Sequence, residues 1–315
     1  MTPDKTYSAL QDDKIYLTDG GLETVLIFEE KFDLPEFAAF TLLNREKGFQ
    51  ALKNYYLPYI RIAKEHRAGF VLESPTYRAS RSWGERLGYT GEDLDQINRT
   101  AIAMLDDLRM EFGDRSTPMM ISGCIGPKGD GYRASGVLSV AGAKAYHLDQ
   151  ILSFREARAD MVSAFTMNDI EEAAGIALAA KSADMPVVIS FTTETDGRLP
   201  SGDSLKAAVE QVDNISGRYP LYYMINCAHP THFADVLTHG DWSRRIGGIR
   251  ANASCKSHEE LDDSDTLDAG DKTELAEHYR HLTHRLPGLK VLGGCCGTDH
   301  DHIGRIAQAV FHHGR

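Results

Sequence analysis

Three cysteines stand where two short apolar runs end. Cys227 closes Ile225-Asn226-Cys227-Ala228, and Cys295 and Cys296 lie inside Gly293-Gly294-Cys295-Cys296-Gly297. Thiolates bind Zn2+ tetrahedrally, and a catalytic zinc keeps one position open for water or substrate. The glycines around Cys295 and Cys296 permit the backbone that adjacent ligands need. A redox pair and inert packing cysteines are the competing readings. Three thiolates donate strongly and leave a metal a poor activator of water. Such a centre suits an incoming thiol held as thiolate, the reactive form in sulfur chemistry. The pattern points to attack by a substrate thiolate rather than to hydrolysis.

For these cysteines to meet, the elements carrying them must end on one face. Eight runs read as strands: Tyr16–Gly21, Phe70–Tyr77, Met119–Pro127, Met161–Met167, Val187–Thr193, Tyr222–Cys227, Ile246–Ala251 and Lys290–Cys295. Most are continuously apolar, the pattern of parallel strands covered on both faces. Helical spacing or composition marks residues 48–67, 95–112, 143–159, 169–183, 203–217, 230–240, 271–285 and 300–313. Asn168-Asp169-Ile170-Glu171-Glu172 reads as a helix cap followed by an acidic first turn. The eight strand–helix units fill residues 1–315 without a linker or composition break. The expected architecture is one α/β domain, a (β/α)8 TIM barrel with long loops at its catalytic face. An open doubly wound sheet is the alternative. Residues 22–40, 128–142 and 252–270 read as long loops after strands one, three and seven, the last an acidic, solvated lid or loop.

Composition narrows the function classes. The chain has 46 acidic and 34 basic residues and a formal net charge of −12. That disfavours nucleic acid, whose binding rests on basic patches that neutralise phosphates. No apolar run approaches the roughly 18–20 residues that span a bilayer. The segment MTPDKTYSALQDDK lacks the apolar core of a signal peptide. Five cysteines, an odd number in a long chain, argue against a disulfide framework. The expectation is a cytoplasmic protein with reduced thiols, small-molecule partners, no membrane, and homo-oligomerisation left open.

The chain resembles the homocysteine S-methyltransferase family. This includes the S-methylmethionine-, S-adenosylmethionine- and betaine-dependent enzymes and the homocysteine module of methionine synthase. The matching segments are Thr18-Asp19-Gly20-Gly21-Leu22-Glu23-Thr24, Gly123-Cys124-Ile125-Gly126-Pro127, Ala145-Tyr146-His147-Leu148-Asp149-Gln150 and Ser190-Phe191-Thr192. Ile225-Asn226-Cys227 and Gly293-Gly294-Cys295-Cys296-Gly297-Thr298 complete the set. The resemblance implies the barrel, Zn2+ held by Cys227, Cys295 and Cys296, and homocysteine sulfur at the open position. Asp19 matches an aspartate that contacts the amino-acid head group, and Asn226 the asparagine beside the first zinc ligand. Ser74 falls where relatives usually carry threonine.

Two residues depart from that pattern. Phe165 stands where many relatives have a glutamate that binds the substrate amino group. Val25 stands where many have glutamate. Losing one partner of a buried ion pair is costly. Either another acid replaces it, Glu73 or Glu194 being candidates, or the acceptor thiol is not homocysteine. The expected reaction is methyl transfer from an onium donor to the thiol of homocysteine. S-methylmethionine or S-adenosylmethionine is favoured over betaine. A different thiol acceptor and a non-catalytic zinc- or thiol-binding homologue are the alternatives.

Other residues read as structural. Cys124 and Cys255 fit packing and loop positions better than ligand roles. His229 reads as a loop histidine before a fourth ligand or an acid. His300 and His302 read as capping or solvating the last helix. Tyr77, Phe165 and Phe191 fit core positions, although aromatic faces also attract a sulfonium or quaternary ammonium. Gly129-Asp130-Gly131 lacks the context of a phosphate loop.

Overall fold

Eight parallel strands pair in sequence order, and β1 closes the ring against β8. The computed structural model describes residues 14–134, 138–262, 264 and 266–311. The strands are β1 (Tyr16–Leu17), β2 (Gly69–Glu73), β3 (Met119–Ile125), β4 (Met161–Met167), β5 (Val187–Phe191), β6 (Tyr223–Asn226), β7 (Ile246–Ala251) and β8 (Val291–Gly294). Every strand residue is buried. Continuous rather than alternating apolarity follows from that double covering. With helices outside the ring, this is the (β/α)8 barrel, and the open sheet is excluded.

Two apolar layers result. Tyr16, Val71, Met120, Met161, Val188, Met224 and Val291 belong to the cluster that plugs the barrel interior. Leu17, Phe70, Ile121, Val162, Ile189, Ile225 and Leu292 join the cluster between sheet and helices. Helices follow the predicted spans to within a few residues, as in Glu46–Glu65, Gly91–Phe112, Val140–Glu156 and Lys272–Arg285. Asp169 caps Ile170–Ser182 by accepting from the Glu172 amide, as its sequence predicts.

The differences gather at the mouth. Six strands end one to four residues short of their predicted limits. Their last residues leave the ladder to serve loops; Tyr77, for example, accepts from the Gly126 amide through its carbonyl. The predicted helix 230–240 shrinks to Pro230–Phe233 plus a 3-10 turn, Ala234–Val236. Segment 22–40 is not plain loop: it holds a helical turn, Leu22–Thr24, and a π-helical turn, Val25–Glu29. Buried Leu22 and Leu26 anchor it. Segment 252–270 carries a short helix, His258–Asp262. Residues 1–13, 135–137, 263, 265 and 312–315, parts of predicted segments among them, lie outside the described residues. Among the described residues no helix is long and apolar enough to cross a membrane.

Candidate active site

The C-terminal strand ends open into a cavity of about 500 Å³, the size of a small-molecule site. At its wall, Cys227 follows β6, and Cys295 and Cys296 follow β8. Their three sulfurs lie within 4.8 Å of one another. Three thiol sulfurs gathered this closely make a soft donor set of the kind that zinc takes. The structure joins Cys227 to Cys295 as a disulfide, with Cys296 beside it. Reduction frees both sulfurs, and the cluster can then hold a metal ion.

The backbone is shaped to bring the sulfurs together. Cys227 has φ +53°, and Thr166 at the end of β4 has φ +60°. A non-glycine residue pays for that conformation, of order 1–3 kcal/mol. Asn226 braces both bends. Its Oδ1 accepts from the Thr166 amide at 2.9 Å and from the Ser190 hydroxyl at 2.6 Å, and its Nδ2 donates to the Thr166 hydroxyl at 2.9 Å. The Cys227 carbonyl receives His258 Nε2 at 2.6 Å and Asn252 Nδ2 at 3.1 Å. On the other side, Gly21 leaves no room for a Cβ against the Cys295 carbonyl.

Ser74 is braced in a similar way. Its hydroxyl accepts from the Cys124 amide at 2.9 Å and pairs with Thr76 at 2.6 Å, tying the end of β2 to β3. Asn226 and Ser74 line the cavity, yet most of their hydrogen-bonding capacity is spent on the frame.

The charged groups form a separate arrangement. Arg250, at the end of β7, was not singled out in the sequence. It is 7% exposed, so it is held inside the cavity wall. It donates to Asp19 Oδ1 at 2.8 Å, Thr18 Oγ1 at 2.7 Å, and the carbonyls of Gly20 and Gly294 at 3.0 Å. Asp19 Oδ2 accepts from the Tyr55 hydroxyl at 3.0 Å. Burial opposes the charge on Arg250, but Asp19 and Glu73 outweigh it and hold the guanidinium firmly protonated. Its carbon lies 5.1 Å from the centre of the Phe165 ring. The phenylalanine at the departed position therefore packs beneath a buried cation, where a cation–π contact is favourable.

Of the two candidate replacement acids, Glu73 lines the cavity. Its Oε1 accepts from Ser163 at 3.1 Å, while buried Oε2 has no partner. Burial pushes its carboxyl up to about 7, against the lowering pull of Arg250. Glu194 instead faces His258 at 3.3 Å and does not line the cavity. Glu23, unremarked in the sequence beyond its motif, also lines the cavity, and burial raises it to about 7.

The remaining candidates separate cleanly. Tyr77, Phe165 and Cys124 line the cavity; Phe191 stacks on Tyr223 in the sheet wall, with centroids 6.0 Å apart. Burial raises the Cys124 thiol well above its ordinary value, and Cys255 is exposed. His229 caps the helix Pro230–Phe233, and burial lowers it to about 4. His302 pairs with Asp299 at 2.7 Å and, through Nε2, with the Ala269 carbonyl at 2.9 Å, bracing the start of the last helix. Tyr132 was missed: its hydroxyl lies 3.7 Å from Cys296 Sγ, and its ring stacks on His258 at 4.0 Å. Leu261, Thr266 and Leu267 from segment 252–270 complete the lining.

Comparison with known proteins adds two findings. The family model described as homocysteine S-methyltransferase matches residues 16–310. Among solved structures, the homocysteine methyltransferase MmuM from Escherichia coli superposes in its oxidized, metallated and apo forms. The oxidized form has TM-score 0.77 at 18% identity, covering 97% of this chain and 99% of that one. The metallated form has TM-score 0.75 at 18% identity, covering 95% and 98%. At that identity the superposition speaks for the fold.

Proposed function

This chain belongs to the homocysteine S-methyltransferase family, and from that premise we propose that it methylates a thiol at the Cys227, Cys295 and Cys296 centre. The observation that carries the reading is the convergence of three sulfurs from two strand ends within 4.8 Å at the wall of the cavity. Cys227, Cys295 and Cys296, once reduced, would hold Zn2+, which favours the thiolate form of a nearby thiol and so supplies the nucleophile. Homocysteine is the proposed acceptor, giving methionine, and an onium compound the donor, S-methylmethionine or S-adenosylmethionine first.

The chemistry balances without an acid. The acceptor sulfur forms a bond to the methyl carbon while the donor's bond to that carbon breaks. The bonding pair stays on the donor heteroatom, which leaves as a neutral thioether, or as a tertiary amine with betaine. The acceptor's thiol proton goes to solvent. The protein's share is alignment and exclusion of water. His258 and Asn252 hold the Cys227 carbonyl, Asn226 ties the end of β6 to Thr166, and the Tyr132 hydroxyl stands beside Cys296. Tyr77 lines the cavity with Arg78 over its ring at 5.2 Å, and an aromatic side chain there is the proposed neighbour of a cationic methyl donor.

The test supplies reduced, zinc-loaded protein with homocysteine and a methyl-labelled donor, one donor per sample. The expected result is labelled methionine by mass spectrometry with a single favoured donor. No methylated thiol with S-methylmethionine, S-adenosylmethionine or betaine would overturn the reading.

A further inference from the structure

Four of the loops at the barrel mouth meet on one side chain. His258 opens the short helix in segment 252–270, after β7, and is buried. Its Nε2 lies 2.6 Å from the carbonyl oxygen of Cys227, after β6. Its Nδ1 lies 3.3 Å from Glu194 Oε1, after β5. A carbonyl oxygen only accepts, so Nε2 carries a proton and donates it. The ring stacks on Tyr132, after β3, with centroids 4.0 Å apart and planes at 22°.

These contacts reach both strand ends that supply sulfur. Cys227 stands in the left-handed region, with φ +53°. A non-glycine residue keeps that conformation only where its surroundings over-determine it. The Cys227 amide donates to the Arg250 carbonyl at 3.1 Å. The Cys227 carbonyl accepts from His258, from Asn252 Nδ2 at 3.1 Å and from the Thr192 hydroxyl at 3.5 Å. The His258 bond is the shortest of the three, so it does most to fix this peptide plane and the direction of the Cys227 side chain. On the β8 side, the Tyr132 hydroxyl lies 3.7 Å from Cys296 Sγ. Asn168 Nδ2 holds the turn that carries Tyr132, donating to the carbonyls of Asp130 at 2.8 Å and Arg133 at 3.3 Å. The His258 ring covers the aromatic face.

We propose that His258 is a positioning residue of the thiolate centre. It sets the Cys227 sulfur through the carbonyl and the surroundings of Cys296 through Tyr132, so that the three sulfurs stand ready for one metal ion. It does so from the segment whose Leu261, Thr266 and Leu267 also line the cavity. One side chain thus joins the wall over the substrate to the geometry of the metal centre. The inference rests on the metal-centre part of the thiol-methylation reading and adds the residue that holds the centre in register.

The experiment compares H258F and H258Q with the wild type, all reduced. Phenylalanine keeps a ring for Tyr132 and removes the N–H from the Cys227 carbonyl. Glutamine places an amide nitrogen near the position of Nε2 and removes the ring. Zinc affinity is read by competition with a chelating dye. Co2+ loaded in place of zinc reports the centre through its sulfur-to-metal charge-transfer bands, and circular dichroism checks each fold. H258F is expected to bind zinc about tenfold or more weakly, with shifted cobalt bands, the scale of losing a partner that orients a metal ligand. H258Q is expected to stay within about threefold of the wild type, because it restores the donor. Wild-type zinc affinity and cobalt bands in H258F overturn the proposal. Equal losses in H258F and H258Q also overturn it, because the histidine would then serve packing alone. Should H258F not fold, N252A takes its place: it removes the next donor to the same carbonyl, and unchanged zinc affinity there overturns the proposal. The two readings fail separately, since zinc and cobalt are read without substrate. No methyl transfer by any of the proteins, with the expected metal results, removes the function and keeps the positioning role. Full transfer and unchanged zinc affinity in H258F remove the role and keep the function. A wild type that takes up no zinc overturns both.

Discussion

Replacing Cys295 with alanine is expected to reduce zinc content from about one ion per chain to a small fraction and methyl transfer by a factor of a thousand or more. The side chain supplies one of only three sulfurs in the cluster. A three-thiolate site that loses one ligand keeps two, too few to outcompete water and buffer for the ion. The fold should survive, because Cys295 belongs to neither apolar cluster and β8 ends before it. C255A is the control, since that thiol is exposed and away from the cavity. Metal analysis with circular dichroism checks the prediction. A folded C295A protein with full zinc and undiminished transfer would remove Cys295 from the centre.

The second large effect is on stability. Arg250→Met is expected to destabilise the protein by about 3–5 kcal/mol, the range for breaking a buried ion pair from one side. Asp19 would remain enclosed with only Tyr55 and Thr18 as donors. The carbonyls of Gly20 and Gly294 would also lose a partner. Methionine roughly keeps the volume above Phe165, so the loss reports charge and hydrogen bonding rather than a cavity. Adding Asp19→Asn should recover a sizeable part, because the uncompensated carboxylate disappears. Urea unfolding of both singles and the double forms the cycle. A loss under about 1 kcal/mol for R250M would show that the pair is not a closed, buried unit.

Much of the fold was readable because the strand runs carry their own signature. Met161–Met167 and Ile246–Ala251 matched residue for residue, since both faces of these strands are covered and their runs are mostly apolar. The strand ends were less readable. Cys227 looks like one more strand residue, but its positive φ turns it out of the ladder, and that turn depends on Asn226 reaching across to Thr166 and Ser190. A contact between residues 60 positions apart leaves no local pattern.

The site was legible in part for the same reason. The three cysteines announced themselves by type and by vicinal spacing, and they meet. Arg250 did give a signal, a lone charge at the mouth end of an otherwise apolar strand, though nothing local names Asp19 as its partner 231 residues away. Glu73 and Glu194 were both candidates in the sequence, with Glu73 the one placed among the substrate-binding residues. Only the closed barrel shows that one faces the cavity while the other faces His258. Glu23 lies inside a recognised motif, but nothing local shows that it reaches the cavity.

The account rests on Cys227, Cys295 and Cys296 acting as one thiolate centre once the Cys227–Cys295 disulfide is reduced. The most direct measurement is residue-resolved alkylation, by mass spectrometry, of the fully reduced protein with and without one equivalent of zinc. The account predicts that zinc protects these three cysteines together, while exposed Cys255 alkylates at the same rate in both samples. Equal alkylation of the three with and without zinc would contradict it.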